Sequence, residues 1–183
     1  MLSFQMHYTT IGKELTDSTR LGIYFDPESE VPKERMSDGS AGIFSLNIPP
    51  HEKNHEVSAT VVVPEDSYLR TLSPHMHFRG KRMKFIANYP DGSEEMIISV
   101  PNYNFNWQII HELEEPVFMP AGTEISAIGA FDNSTQNSFN PAPSAEINWG
   151  EQSWEKEPVA SSAKCRSTWP VALPASGLCS APA

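Results

Sequence analysis

The chain has 183 residues, 39% of them hydrophobic, which is enough for one domain with its own core and excludes wholesale disorder. Thirteen Lys and Arg stand against 23 Asp and Glu, a formal net charge of −10, which argues against nucleic acid or an anionic membrane surface as a partner. Sixteen prolines disfavour long helices, and no apolar run of about 18 residues is present to cross a membrane as a helix.

Short apolar or alternating runs between turn residues predict strands over 2–8, 21–25, 43–48, 57–63, 69–77, 83–89, 95–100, 107–113, 124–131 and 145–149. The first run carries His7 in Gln5-Met-His-Tyr8, a lone histidine that reads as a satisfied core or edge residue. Met1-Leu-Ser-Phe-Gln-Met-His7 has neither a basic nor an apolar stretch, so it is not read as a signal peptide. The chain is then cytoplasmic, or a piece of something longer. His51 and His55 follow Pro49-Pro50 and read as solvated loop residues. Ala59-Thr-Val-Val-Val63 and Met96-Ile-Ile-Ser-Val100 are β-branched enough to favour strands over helices. Tyr89-Pro-Asp-Gly-Ser93 predicts a hairpin turn, because Pro90 presets φ and Gly92 tolerates left-handed geometry. Pro120-Ala-Gly-Thr123 predicts a second turn, and the Asx residues of 132–141 are read as turn caps. His111 falls on an alternating run and reads as structural.

About ten short strands without sustained helical periodicity predict an all-β fold, an antiparallel β-sandwich of jelly-roll type, as one domain over 1–157. Residues 158–183 are rich in Ala, Ser and Pro and predict a tail that wraps the domain or stays disordered. Both cysteines, Cys165 and Cys179, lie in that tail and either close one loop or stay free thiols.

The strongest chemical signal is Ser73-Pro-His-Met-His77. On a strand, residues i and i+2 face the same way, so the imidazoles of His75 and His77 can converge on one metal ion. The same spacing also fits two ordinary surface histidines at a strand end. Nucleophilic catalysis has little support: there is no Gly-x-Ser-x-Gly elbow and no glycine-rich phosphate loop.

A set of segments in fixed order carries a resemblance. It runs Gln5-Met-His-Tyr8, Ile48-Pro-Pro50, Pro74-His-Met-His-Phe-Arg-Gly-Lys81, Tyr89-Pro-Asp-Gly92, Tyr103-Asn-Phe-Asn-Trp-Gln108, Pro120-Ala-Gly-Thr123, Phe131-Asp-Asn133, Asn140-Pro141 and Trp149-Gly-Glu-Gln152. Over about 2–155 the chain resembles the C-terminal domain of the copper type II, ascorbate-dependent monooxygenases. This is the family of the peptidylglycine α-hydroxylating and dopamine β-monooxygenases, and bacterial relatives of unassigned substrate are the nearer match. The resemblance implies a copper site in an oxidoreductase, a monooxygenase or a peroxygenase-like enzyme. His75 and His77 match the oxygen-activating pair, and His7 matches one ligand of a second, electron-transfer copper.

There are two departures. The family's N-terminal domain has no counterpart in this sequence, so His7 lacks its two partners. Glu157 stands where the family's methionine ligand is expected. A thioether suits Cu(I), whereas a carboxylate suits Cu(II) or zinc. The expectation is therefore copper, with zinc as the other candidate, held by His75, His77 and Glu157 or a water. Arg79 and Tyr103 are read as substrate-facing catalytic residues. An external reductant such as ascorbate, or peroxide, is expected, with a small-molecule or peptide substrate, and either a homodimer or a separate N-terminal partner domain. The resemblance implies an extracytoplasmic location. Two other readings stand beside it: a non-catalytic metal-binding half-domain or interaction module, and a zinc hydrolase whose site is built from two histidines and one glutamate.

Overall fold

The structure, a computed structural model, describes residues 4, 6, 8, 11–30, 34–43, 45–148 and the strand at 162–170. By its internal contacts the chain divides into two units, Met1–Pro32 and Lys33–Ala183.

In the first unit the described residues form a single 3-10 turn, Glu28–Glu30. Asp17 accepts from Tyr8 Oη (2.9 Å) and Thr19 Oγ1 (2.7 Å). The strand predicted over 21–25 does not form, and Leu21, Ile23, Tyr24 and Phe25 are exposed. An apolar run becomes a strand only where another backbone is placed to pair with it. Most of the strand predicted over 2–8, including His7, lies outside the described residues.

The second unit is all-β. Its strands are β1 (Glu34–Gly42), β2 (Asn47–Ile48), β3 (His55–Val62), β4 (Ser67–His75), β5 (Gly80–Asn88), β6 (Glu94–Val100), β7 (His111–Met119), β8 (Glu124–Phe131), β9 (Ile147–Asn148) and β10 (Ser162–Pro170). One four-stranded sheet has the order β1-β10-β4-β7, the other β3-β8-β5-β6, and β2 pairs with β9 alone. Every pairing is antiparallel. Setting aside the short β2 and β9 and counting the eight long strands along the chain, the sheets read 1-8-3-6 and 2-7-4-5. That interleaving of two Greek keys is the jelly-roll order, as expected. In it the eighth strand must lie between the first and third, and so Ser162–Pro170, inside the expected tail, pairs with both β1 and β4.

The alternation that predicted the strands also builds the core. Leu69 and Leu72 from β4, Met83, Phe85 and Ala87 from β5, and Ile125, Ala127 and Phe131 from β8 are all buried. A side chain at Gly129 would meet Met76 Sδ at 3.2 Å and Met83 Cε at 3.5 Å, so the thioether of Met76 packs where β8 has no side chain.

Both predicted turns form. Between β5 and β6, Tyr89 N–H donates to Ser93 O (2.9 Å), Gly92 N–H donates to Tyr89 O (3.0 Å), and Gly92 has φ +87°. Gly92→Ala is expected to cost about 1 kcal/mol, since a side chain there must adopt a left-handed conformation. Denaturant titration checks this; an unchanged midpoint would show that the turn is not under that constraint. The turn at 120–123 joins β7 to β8 across the two sheets, with Gly122 N–H on Val63 O (2.7 Å) and Val63 N–H on Thr123 O (2.8 Å).

Candidate metal centre

The two histidines sit where the chain leaves one sheet for the other. β4 ends at His75, Phe78–Arg79 turn, and β5 begins at Gly80, with Gly80 N–H closing the turn on His77 O (2.9 Å). Leu72, Pro74 and Met76 are buried on the core side, so the alternate residues Ser73, His75 and His77 take the other side. The imidazoles of His75 and His77 lie edge to face, with centroids 5.1 Å apart and planes at 86°. His75 is half-buried. His77 is 7% exposed, with Phe105 edge-on at 5.9 Å, and Phe105 in turn packs on Phe78 at 4.4 Å.

Gln108 fixes the tautomer of His75. Its Nε2 donates to Phe105 O (2.7 Å), so its Oε1 is the atom turned to His75 Nδ1. A carbonyl oxygen only accepts, so Nδ1 carries a proton, and in the neutral imidazole Nε2 is then the nitrogen with the lone pair. That arrangement matches a metal-binding histidine whose second nitrogen is held by an outer hydrogen bond. Gln108 was not singled out from the sequence. The signal was the pairing register: Leu72 opposes His111, and the same antiparallel count carried on places Gln108 opposite His75.

The other expected site residues that the structure describes, Arg79 and Tyr103, are both turned to the protein. Arg79 is fully buried, and its Nε donates to Asn133 Oδ1 (2.8 Å). Burial pushes its pKa down to about 10, which still leaves it protonated at neutral pH. Its side chain is turned into the protein. Tyr103 is also turned to the protein. Its Oη donates to Met76 O (2.6 Å) and accepts from Met76 N–H (3.0 Å), and burial raises its pKa, which keeps the phenol protonated. His7 and Glu157 lie outside the described residues. Among the described residues no group of three or more His, Cys, Asp and Glu converges.

His51 is exposed in a turn with φ 59°, as expected of a loop residue, whereas His55 opens β3 opposite Phe131. His111 opens β7, as its alternation implied. Cys165 lies on β10, and Cys179 is outside the described residues. The Asx residues do cap turns: Asp132, Asn137 and Asn140 each accept from the backbone N–H two residues on. Asn133 does more, joining Arg79 to three loop positions by hydrogen bonds.

No protein-family model matches the chain, and no curated protein sequence matches it. Among solved structures, 24 chains match. The VP2 subviral particle of infectious bursal disease virus is similar at 11% identity with a TM-score of 0.37, over 74% of this chain and 32% of that one. A second structure of that virus, the Gx strain, is similar at 9% identity with a TM-score of 0.39, over 76% of this chain and 33% of that one. The chain thus spans about a third of the length of these structures. At these scores the likeness carries no argument about function, and the jelly roll rests on the strand order itself.

Proposed function

We propose that the chain binds one metal ion through His75 and His77 and serves as the metal-binding domain of a copper-dependent oxidoreductase. The observation that carries this reading is the His75–Gln108 hydrogen bond, which engages Nδ1 and so makes Nε2 the nitrogen that the neutral imidazole can offer to a metal, with the ring of His77 5.1 Å away. Paired neutral imidazoles suit copper and zinc. The preference for copper, and for oxidation of an organic substrate with ascorbate or peroxide, comes from the family resemblance.

A copper ion held there would supply one-electron chemistry and activation of dioxygen or peroxide. The chain's own residues do the rest. Gln108 orients one imidazole, and Phe105 and Phe78 pack beside the other. Trp107 and Ile110, 71% and 53% exposed, offer uncharged surface in the adjoining segment for an organic substrate. Glu157 or a water would complete the coordination sphere.

The test is metal analysis with copper and zinc both offered, followed by turnover with ascorbate or peroxide. One tightly held copper per chain and reductant-dependent oxidation are expected. Absence of any retained metal overturns the reading. Retained metal without turnover favours the second reading, a metal-binding module, for which the convergence of just two donors among the described residues also speaks.

The fold is expected not to depend on the metal. Leu69, Leu72, Phe85 and Phe131 bury their side chains without help from the histidine rings. Chelation should shift the melting temperature by no more than the mass-action contribution of the bound ion. Loss of the β signal in circular dichroism on chelation would contradict this.

A further inference from the structure

We infer that Tyr103 is a positioning residue for the histidine pair, a role that rests on the metal-binding reading above. One hydroxyl satisfies both backbone polar groups of Met76, the single residue between His75 and His77: it donates to the carbonyl at 2.6 Å and accepts from the N–H at 3.0 Å. Met76 is fully buried and lies just beyond the end of β4. A buried peptide group costs free energy unless it is paired, so the tyrosine stands in for the strand partner that the ladder no longer provides.

The tyrosine is itself held from two sides. Its N–H donates to Lys81 O on β5 at 2.9 Å. Its ring lies against Gly80, where an added Cβ would come within 2.7 Å of Tyr103 Cδ1 and 2.8 Å of Met76 Cβ. Real Cβ atoms essentially never approach so closely, so glycine at 80 is what lets the ring reach Met76.

The consequence for the site is geometric. With the peptide groups of Met76 fixed and its thioether packed at Gly129, the backbone that joins His75 to His77 is held in place. Freed of the hydroxyl, residue 76 can rotate, and two rings set 5.1 Å apart lose their common focus. Sites of this kind need their donors held to within about 0.5 Å.

Tyr103→Phe removes the hydroxyl and keeps the ring over Gly80. Copper and zinc affinity would be measured by competition titration, the Cu(II) spectrum by electron paramagnetic resonance, and Met76 amide exchange by NMR in the metal-free protein. Tyr89→Phe, which removes a hydroxyl bound to Glu95, is the control. Outer-sphere partners of metal ligands are typically worth roughly 10- to 100-fold in affinity, and a loss of that size is expected for Tyr103→Phe, with an altered copper spectrum, an intact β signal and faster Met76 exchange. The control should bind as the parent does. If the parent holds metal and Tyr103→Phe binds it within twofold with an unchanged spectrum, the positioning role is overturned while the metal site stands. If neither protein holds metal, the metal reading fails, and amide exchange alone decides whether the hydroxyl fixes residue 76: faster exchange in the variant supports it, and equal exchange overturns it. If the variant does not fold, exchange in the parent decides. A Met76 amide protected as well as the β4 ladder supports the inference, and one exchanging like a surface loop overturns it.

Discussion

Replacing Asn133 with alanine is expected to cost about 4 kcal/mol, one of the largest single losses in the protein, out of a total stability that for domains of this size is roughly 5–15 kcal/mol. Asn133 is fully buried, and every hydrogen-bonding position of its side chain is used. Oδ1 accepts from Arg79 Nε (2.8 Å) and Asn140 Nδ2 (3.0 Å), while Nδ2 donates to Pro49 O (2.8 Å) and Ala145 O (2.9 Å). The turn beyond the histidines, the loop before β3 and the loop before β9 are thereby tied to one amide. Each such bond contributes about 1 kcal/mol, and a buried group left without its partner costs about as much again or more, most of all the charged guanidinium. Arg79→Met should cost about half as much, since it removes one bond to Asn133 and leaves that amide its other three. The double variant should lose less than the sum, as expected for residues in one network. Urea titration checks all three. A loss under about 1 kcal/mol for Asn133→Ala would show that the loops are held by other means.

How far the sequence revealed this arrangement depended on whether a feature is local. β3, β4, β5 and β8 were legible because their β-branched or alternating residues bury one face in the core. The hairpin at Gly92 was legible because its turn chemistry lies within five residues. β1, with the sequence Glu-Arg-Met-Ser-Asp-Gly-Ser-Ala-Gly, and β10, with Ser-Ala-Lys-Cys-Arg-Ser-Thr-Trp-Pro, have little intrinsic strand preference. They are strands because they pair with each other and β10 also pairs with β4, a contact between distant parts of the chain that no local window contains. The site divides the same way. A His-x-His spacing states its own geometry on an extended backbone, and the two rings did meet. Gln108 was missed because it reaches His75 from 33 positions away, and Asn133 because its partners come from three separate segments.

The largest functional effect is expected at the pair itself. His75→Ala or His77→Ala should abolish tight copper or zinc binding, while His51→Ala and His55→Ala should leave it unchanged. Structural zinc sites with four protein ligands bind with roughly 10–16 kcal/mol, so one donor is worth about 3 kcal/mol, a loss of more than about a hundredfold. In a site where two imidazoles are the protein donors that converge, losing either leaves one nitrogen against water and buffer. The two variants should also differ. His77→Ala keeps the His75–Gln108 hydrogen bond, so the remaining imidazole stays oriented by it. His75→Ala removes that oriented ring and leaves Gln108 without its imidazole partner, so the residual affinity should be the lower of the two. His51 and His55 are separate controls. The first sits exposed in a turn, and the second opens β3 opposite Phe131, in the other sheet from β4. Calorimetric titration of each single variant, with the β signal monitored in parallel, measures the outcome. Metal retained in both His75→Ala and His77→Ala but lost in a His51/His55 double variant would move the centre away from the end of β4.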